Sequence, residues 1–527
     1  MQKLVHMPLV HQFEWVYNLY IQIWKCRNES IRRIYKVKGK KTKAKKLKKS
    51  DITVVDTDVA RKAVVATAMG NAMEWFDFGI YSYLVVIISE VFYSGIDDSY
   101  RLIFGFGTFA VAFLVRPIGG VVFGRLGDKL GRKKILALTL IMMAVATFSI
   151  GFIPSYESIG IWAPILLLLA RLVQGFSTGG EYSGAMTFIA ESAPDKRRGF
   201  MASGLEVGTL VGYIAGSGVV TILTYMLGDQ AMLDWGWRIP FFIAGPIGII
   251  GLYLRNHLEE SPAFAKMEEL KEEAETGSQS ISLKEMLIYH RRPLIIAIIL
   301  VFFYNVIDYT VLTYMPSHLS DVLGYGNTKG LLLILIVMFI MIPIVLLMGH
   351  YGDRIGNKRI IIGSLIGMVL LAIPAFKLIE TGSNILVFFG LLIIAVLLSA
   401  LQGTMPSQLP SLFFTEVRYS GLSITYNVSA SLFGGTAPLL IAWLINITAS
   451  TFAPAYYLMF AAVIGIIVVS IYVENTSGKP LRGDAPAVAE ETEIKEVLED
   501  MEALWWREEQ QEIKERMEEN NNETGDK

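Results

Sequence analysis

The sequence predicts an all-α integral membrane protein whose twelve transmembrane helices form two similar bundles of six. Of its 527 residues, 53% are hydrophobic and only 18% are charged, whereas about a quarter of the residues of a soluble domain are charged. Residues 331–349 and 385–414 contain no charged side chain, and about 20 apolar residues suffice to cross the hydrocarbon layer. A charged motif that follows the second apolar segment also recurs after the eighth.

Apolar windows between charged or Pro/Gly-rich breaks define the twelve predicted spans. In the first half they cover residues 64–92, 103–124, 134–153, 160–190, 200–224 and 238–255. In the second half they cover residues 293–320, 330–350, 359–379, 384–412, 420–446 and 453–473. Five regions follow: a basic N-terminal tail (1–60), a first bundle (61–255), a central loop (256–292), a second bundle (293–474) and an acidic C-terminal tail (475–527).

Positive charge predicts the orientation of these spans. Lys and Arg are concentrated between spans 2 and 3, 4 and 5, and 8 and 9, and they are almost absent between spans 1 and 2, 3 and 4, and 9 and 10. Such loops favour the cytoplasmic side, and an even number of spans returns the chain to the side where it starts. We therefore expect a multi-pass protein of the cell (inner) membrane with both termini in the cytoplasm.

The recurring motif reads GRLGDKLGRK at residues 124–133 and GHYGDRIGNK at residues 349–358. Its glycines allow helices to approach closely, and its aspartate can cap a helix N-terminus. The pattern favours a latch that holds one conformation, although a topology signal alone would also account for its positive charge. The predicted latch residues are Gly124, Gly127, Asp128, Gly131, Arg132 and, in the second copy, Asp353.

The first copy of this motif resembles the loop signature of the major facilitator superfamily. Three further stretches look like the metabolite–proton symporter family: GNAMEWFDFG at 70–79, RLVQGFSTGGEY at 171–182 and DWGWRIPFF at 234–242. The resemblance covers residues 51–484 and is nearest to the osmoprotectant (proline and glycine betaine)–proton symporters of that family. It implies the major facilitator fold, alternating access, a small-molecule substrate, protons as the coupling ion, no cofactor and function as a monomer.

Acidic residues inside the predicted spans are the candidates for proton coupling. Glu74 and Asp77 lie three residues apart on one face of the first span. A carboxylate in the bilayer is costly unless it is paired, protonated or facing water, so such residues mark ion or proton pathways. By resemblance to sugar–proton symporters of the superfamily, Asp77 pairs with Arg171 and releases it when protonated; a static ion pair is the alternative. The coupling candidates are Asp77, Arg171, Glu74, Glu181 and Glu206.

Aromatic residues lie next to these acids and suggest a substrate site. Ring faces beside a carboxylate attract a quaternary ammonium group, although aromatic residues in spans also serve packing or the interfacial belt. Arg116 is expected either to neutralise one of the acids or to meet a substrate carboxylate. The predicted substrate contacts are Trp75, Phe76, Arg116, Tyr304, Asn305 and Asp308.

Three classes of function are compared: transport, with two candidate substrates, sensing and catalysis. The leading prediction is a proton-coupled importer of a small zwitterionic osmoprotectant. A proton symporter of a carboxylate metabolite, of the citrate, 2-oxoglutarate or shikimate type, would need more cations than Arg116 and Arg171. A non-transporting membrane sensor would normally carry an added signalling domain. An enzyme is not predicted, because the sequence has no nucleotide-binding loop or nucleophile–base pair, and its single cysteine, Cys26, argues against a cysteine-based metal site.

The N-terminal tail carries a separate signal. Eleven Lys or Arg residues lie between positions 32 and 49. A polybasic run on the cytoplasmic side is attracted to anionic lipid by about 1 kcal/mol per charge. We expect this tail to contact anionic lipid rather than nucleic acid, because the chain is tethered to a membrane.

Overall fold

The computed structural model describes residue 49 and residues 52–130, 132–179, 181–258 and 290–499, and most of these residues are helical. A bilayer offers the backbone no hydrogen-bond partner, and a helix satisfies its own N–H and C=O groups. The helices of the first half are α1 (Thr57–Tyr83), α2 (Val85–Phe92), α3 (Asp98–Leu114), α4 (Arg116–Leu130), α5 (Arg132–Ile150), α6 (Trp162–Ser177), α7 (Glu181–Ser192), α8 (Arg198–Ala231) and α9 (Arg238–Leu258). Those of the second half are α10 (Arg291–Asp308), α11 (Asn327–Ile355), α12 (Asn357–Ile379), α13 (Asn384–Gln408), α14 (Thr415–Ser429), α15 (Ala437–Thr448) and α16 (Ala453–Tyr472).

These helices form twelve segments that coincide with the twelve predicted spans. Four segments consist of two helices each (α1–α2, α3–α4, α6–α7 and α14–α15), and the other eight helices form one segment each. In the described ranges nine helical stretches are long and apolar enough to cross a bilayer, and α1 with α2, bent by 57°, makes a tenth. Two shorter apolar stretches, Leu138–Ile150 and Arg238–Ile249, belong to the remaining segments.

The second segment was predicted as one continuous span, but it is interrupted between α3 and α4. Pro117 lies in the first turn of α4, where its missing N–H costs little. Its ring displaces the hydrogen bond that would otherwise reach the carbonyl four residues earlier. That carbonyl, of Phe113, instead accepts a hydrogen bond of 2.5 Å from Ser431 in the last six segments. Residues 124–130, predicted as a loop, continue α4 because no further proline follows.

Glycine brings α1 and α8 into close contact. A Cβ atom added at Gly212 would lie 2.3 Å from the carbonyl oxygen of Ala72, and one added at Gly208 would lie 2.3 Å from that of Ala68. Close approach of small residues is how membrane helices gain packing energy where lipid removes the hydrophobic driving force. The position of Glu74 and Asp77 relative to α8 therefore depends on these glycines.

The first six and last six segments meet mainly where α8 packs against α11 and α13, and also where α3 packs against α15. Residues Ser50–Lys495 form one compact unit. Two short parallel strands pair near its two ends: β1 (Thr53–Val54) precedes α1, and β2 (Ala487–Val488) follows α16. Many large apolar side chains face outward, including Ile222 (60% exposed) and Leu370 (66% exposed). This distribution suits a surface covered by lipid.

We predict that Gly212→Ala lowers the thermal unfolding midpoint of the purified protein, because its methyl group would force α1 away from α8. Overpacking of this kind costs about 1–3 kcal/mol. Tryptophan fluorescence during heating would measure the change. Gly107→Ala in α3 is the matched control, since a Cβ atom there meets nothing within 4 Å. Equal midpoints for the two variants would contradict the close contact of α1 and α8.

Candidate functional site

Glu74 and Arg116 form a buried ion pair between α1 and α4. Arg116 Nη2 donates to Glu74 Oε1 at 2.8 Å, and both side chains are 2% exposed. The guanidinium carbon also lies 4.5 Å from the ring centre of Phe78 and 4.3 Å from that of Phe113. Of the two roles expected for Arg116, the structure favours neutralisation of an acid, because its charge is already matched by Glu74.

Asp77 lies at one end of a chain of polar side chains that joins α1, α5 and α6. Thr147 donates to Asp77 Oδ2 at 3.0 Å, and Gln174 Nε2 donates to the Thr147 hydroxyl at 2.5 Å. Arg171 Nη1 in turn donates to Gln174 Oε1 at 2.8 Å. We call Asp77, Thr147, Gln174 and Arg171 the relay. Asp77 is 5% exposed and Arg171 is fully buried.

The relay corrects one prediction. Among the described side chains, Asp77 and Arg171 make no ion pair within 4.0 Å, although their charges still attract one another. Thr147 and Gln174 stand between them, and neither was among the predicted site residues. Gln174 belongs to the motif at 171–182, so its position was visible in the sequence, whereas Thr147 lies in an otherwise apolar helix. The Arg171 guanidinium packs 4.1 Å from the ring centre of Tyr81, and its Nε and Nη2 atoms have no hydrogen-bond partner.

Glu206 and Asp308 approach the interior from opposite halves of the protein. Glu206 on α8 accepts a hydrogen bond from Tyr182, and Asp308 at the end of α10 accepts one of 2.9 Å from Gln402 Nε2. Both carboxylates are at least 97% buried, and they interact electrostatically with one another. Tyr182 stacks on Tyr426, with ring centres 4.5 Å apart. The structure therefore brings a predicted coupling residue and a predicted substrate contact into one cluster.

The predicted aromatic contacts lie in the same interior. The ring of Trp75 is 5.2 Å from that of Tyr213 and 5.8 Å from that of Tyr309, two residues outside the predicted list of substrate contacts. Tyr304 and Asn305 are buried on α10. Phe76 is also buried, but in the part of the chain that the structure describes its ring is not stacked with this group.

Several predicted residues fall where side chains are not described. Gly131 lies outside the described residues. The side chains of Arg132 and Glu181 are likewise not described, and the same holds for Gly124, Gly127 and Asp128 in α4. The polybasic run at 32–48 and most of the central loop also lie outside the described ranges.

The second copy of the latch motif contacts the other half of the protein. Asp353 accepts hydrogen bonds from the backbone N–H groups of Gly199 at 2.6 Å and Phe200 at 2.9 Å, in the first turn of α8. A carboxylate at this position is stabilised by the unpaired N–H groups and by the helix dipole. A Cβ atom at Gly199 would lie 2.6 Å from the carbonyl oxygen of Gly349. Glycine in both helices is thus required for this contact.

A second set of contacts closes the same end of the bundle. Arg418, fully buried, pairs with Glu191 of the first half at 2.8 Å and with Asp484 at 2.7 Å. Asp195 accepts from the N–H of Ala487 at 3.0 Å, so the segment after α16 touches both halves. These contacts and the Asp353 latch together describe a conformation that is closed at this end.

Comparison with known proteins gives the chain a family context. The model of the family "Sugar (and other) transporter" matches residues 63–483. The glycine betaine/proline/ectoine/pipecolic acid transporter OusA of Dickeya dadantii is 46% identical over 468 residues, which cover 88% of this chain and 93% of the relative. The proline/betaine transporter of Salmonella typhimurium is 47% identical over 463 residues, covering 87% and 92%.

Solved structures agree on the fold. The proton:xylose symporter XylE of the major facilitator superfamily, bound to 6-bromo-6-deoxy-D-glucose, aligns with a TM-score of 0.65 and 18% identity. The alignment covers 81% of this chain and 98% of that structure. The all-α membrane fold expected from the sequence is therefore confirmed.

We predict that Asp353→Asn loosens the closed end of the bundle, because the neutral amide loses most of its attraction to the α8 dipole. This attraction is worth about 1 kcal/mol. Spin labels on cysteines replacing the exposed residues Lys196 and Arg359, in a Cys26→Ser background, would report the distance between the halves by pulsed electron resonance.

The expected result is a larger population of long distances in the variant than in the parent protein. Asp58→Asn, an exposed residue at the start of α1, is the control and should leave the distribution unchanged. An unchanged distribution in Asp353→Asn would show that the latch does not hold this end closed.

Proposed function

Because the chain belongs to the sugar (and other) transporter family of the major facilitator superfamily, and its relatives at about 46% identity are proline/betaine transporters, we propose that it imports small zwitterionic osmoprotectants with protons. It is a secondary active transporter and not an enzyme. Proline and glycine betaine are the substrates that this relationship supports. The two six-segment halves would move relative to one another, so that the substrate site opens to each side of the membrane in turn (alternating access).

The relay is the observation that supports proton coupling most directly. Its carboxylate, hydroxyl, amide and guanidinium groups link three segments of the first half within the bilayer. A carboxylate that is buried in this way changes its interactions strongly when it gains or loses a proton. Asp77 is therefore the proton carrier of the proposal, with Thr147 and Gln174 as its connection to Arg171.

Thr147 gives the relay a simple way to respond to the proton. Its hydroxyl lies 3.0 Å from Asp77 Oδ2 and 2.9 Å from the carbonyl oxygen of Met143, but a hydroxyl has only one hydrogen to donate. When Asp77 is ionised, Thr147 donates to it. When Asp77 is protonated, Asp77 becomes the donor and Thr147 turns to Met143. Protonation thus also removes the negative charge that attracts Arg171, which frees α6 to move relative to α1.

A carboxylate–proton symporter is the weaker alternative. Arg116 already pairs with Glu74, which removes one of the two cations that such a substrate would need. Glu206 and Asp308 are two further carboxyl groups in the interior, and in their ionised forms they would repel a citrate-like anion. A non-transporting sensor is not favoured either, because the curated relatives are transporters.

The chain is a multi-pass membrane protein, and further features of its setting belong to the proposal. The closed end of the bundle, with Lys196, Arg197 and Arg354, faces the cytoplasm of the inner membrane, because basic residues favour that side. Both termini then lie in the cytoplasm, where the basic tail meets anionic lipid. Residues 61–255 and 293–474 act as the two moving bundles of a functional monomer.

Uptake of radiolabelled glycine betaine into proteoliposomes tests the function. We expect accumulation only with an inwardly directed proton gradient, and competition by proline but not by citrate. Equal uptake with and without the gradient would contradict proton coupling. Uptake of citrate in place of glycine betaine would assign the chain to the carboxylate transporters.

We predict that Asp77→Asn abolishes uphill accumulation while exchange of preloaded substrate continues, because the amide cannot carry the proton. Uphill uptake at the parental rate would exclude Asp77 as the carrier. Thr147→Val, which keeps the shape but removes the hydroxyl, loses the hydrogen bonds with both Asp77 and Gln174 and should slow coupled uptake at least fivefold, because each bond is worth about 1 kcal/mol. Thr224→Val is its matched control, because that hydroxyl bonds only within its own helix.

A further inference from the structure

Glu206 and Asp308 are two buried carboxylates that lie near enough to interact electrostatically. Glu206 belongs to the first six segments and Asp308 to the last six, and neither forms an ion pair with any basic side chain that the structure describes. The groups around them are neutral: Tyr182, Tyr304 and Thr209 around Glu206, and Gln402 beside Asp308. Burying a charge without a partner costs several kcal/mol. A positively charged group bound next to the two carboxylates would therefore stabilise their ionised forms.

The surroundings favour an organic cation. Buried tyrosines from several segments lie in the same interior: Tyr182 stacks on Tyr426 with ring centres 4.5 Å apart, and the rings of Tyr213 and Tyr309 lie 5.2 Å and 5.8 Å from that of Trp75. Tyrosine rings offer an electronegative face and apolar area, which suit an alkylated ammonium group better than a hydrated metal ion. The ammonium pole of proline or glycine betaine has this chemistry.

Unpartnered polar atoms next to Asp308 give an independent indication of a ligand. Gln402 donates through Nε2 to Asp308, and its Oε1 atom, fully buried, has no hydrogen-bond partner. It is an acceptor placed beside a carboxylate, where an N–H donor of a secondary ammonium group would satisfy it. Buried polar atoms are otherwise satisfied in almost all proteins, so such an exception calls for a cause.

A second group of unpartnered atoms consists entirely of donors. Trp75 Nε1, Asn305 Nδ2 and the Tyr309 hydroxyl are buried and make no hydrogen bond. The rings of Trp75 and Tyr309 are 5.8 Å apart, and Asn305 lies one helical turn before Tyr309. A Cβ atom at Gly434 would lie 3.1 Å from the Tyr309 ring and 3.4 Å from Asn305 Nδ2. Several donors without an acceptor are a suitable environment for a carboxylate.

The two groups are close enough for one small molecule. Asn305 and Asp308 are separated by three residues in one helix, which places their Cβ atoms about 5–6 Å apart. We propose that Glu206, Asp308, Gln402 and the surrounding tyrosines bind the ammonium pole of the substrate, and that Trp75, Asn305 and Tyr309 bind its carboxylate. This inference rests on the proposed function and adds the orientation of the zwitterion to it.

The assignment also explains how substrate could close the site. Glu206 and Asp308 come from opposite halves and repel one another when both are ionised. A cation between them turns this repulsion into attraction to a common centre, which draws the halves together. A neutral molecule of the same shape cannot have this effect.

The test compares glycine betaine with two analogues as competitors of radiolabelled glycine betaine uptake by the full chain. 3,3-Dimethylbutanoate has the same shape and the carboxylate but an uncharged carbon in place of nitrogen. Choline has the quaternary ammonium group without the carboxylate. In the parent protein we expect glycine betaine to compete at least tenfold better than either analogue.

Variants at each pole should then separate the two interactions. Asp308→Asn is expected to weaken competition by glycine betaine about tenfold and to leave competition by 3,3-dimethylbutanoate unchanged. Asp308→Glu should restore part of this loss. Asn305→Ala should weaken competition by glycine betaine but not competition by choline. Asp321→Asn, an exposed position in the helical stretch Arg291–Val322 that continues α10, is the matched control. Size-exclusion chromatography and the thermal unfolding midpoint of the purified variants, measured by tryptophan fluorescence, would show that they are folded.

The outcomes distinguish this inference from the function on which it rests. If the parent protein neither binds nor accumulates glycine betaine, the proposed function fails. If it transports glycine betaine but Asp308→Asn and Glu206→Gln keep the parental preference over 3,3-dimethylbutanoate, only the inference is overturned. The same holds if Glu206→Gln changes the proton dependence of uptake and not this preference, since Glu206 would then be a proton carrier.

Discussion

Burial of charge in a low-dielectric interior is the constraint on which this structure depends. Each ionised group inside the bundle needs a compensating partner, since water is not available to solvate it. Glu74 has Arg116, and Asp77 has a hydrogen-bonded route to Arg171 through Thr147 and Gln174. The helices that carry these groups are consequently held in fixed rotation about their axes. Small residues at their contacts allow the approach that such pairing requires.

The two halves are joined by contacts of different strength along the bundle. At one end, Asp353 caps α8 and Arg418 bridges Glu191 and Asp484. In the interior, Glu206 and Asp308 lie on opposite sides of the same boundary, and they would repel one another if both were ionised. A transporter must be able to break and re-form the contacts at this end, and the contact of Asp353 with the α8 dipole, worth about 1 kcal/mol, is weak enough for that. Binding in the centre can then decide which arrangement is more stable.

Much of the fold followed from local sequence, and so did many of the candidate site residues. The apolar windows located the twelve segments, and an acid inside a span was enough to single out Glu74, Asp77, Glu206 and Asp308. The interruptions within the spans were harder to predict from the sequence. Whether a span is interrupted depends on residues such as Pro117, and on Ser431, which accommodates the freed carbonyl of Phe113 from more than 300 positions away. No local pattern contains that information.

The sequence by itself determined the membrane class, the segment count, the repeated latch motif and the presence of intramembrane carboxylates, because apolar length and charge are local properties. Only the tertiary structure decided the partners. It paired Arg116 with Glu74, inserted Thr147 between Asp77 and Gln174, and placed Asp308 near Glu206. These contacts join residues distant in the chain, and they depend on how each helix is rotated and where it crosses its neighbours. Those variables are fixed by packing of the whole bundle.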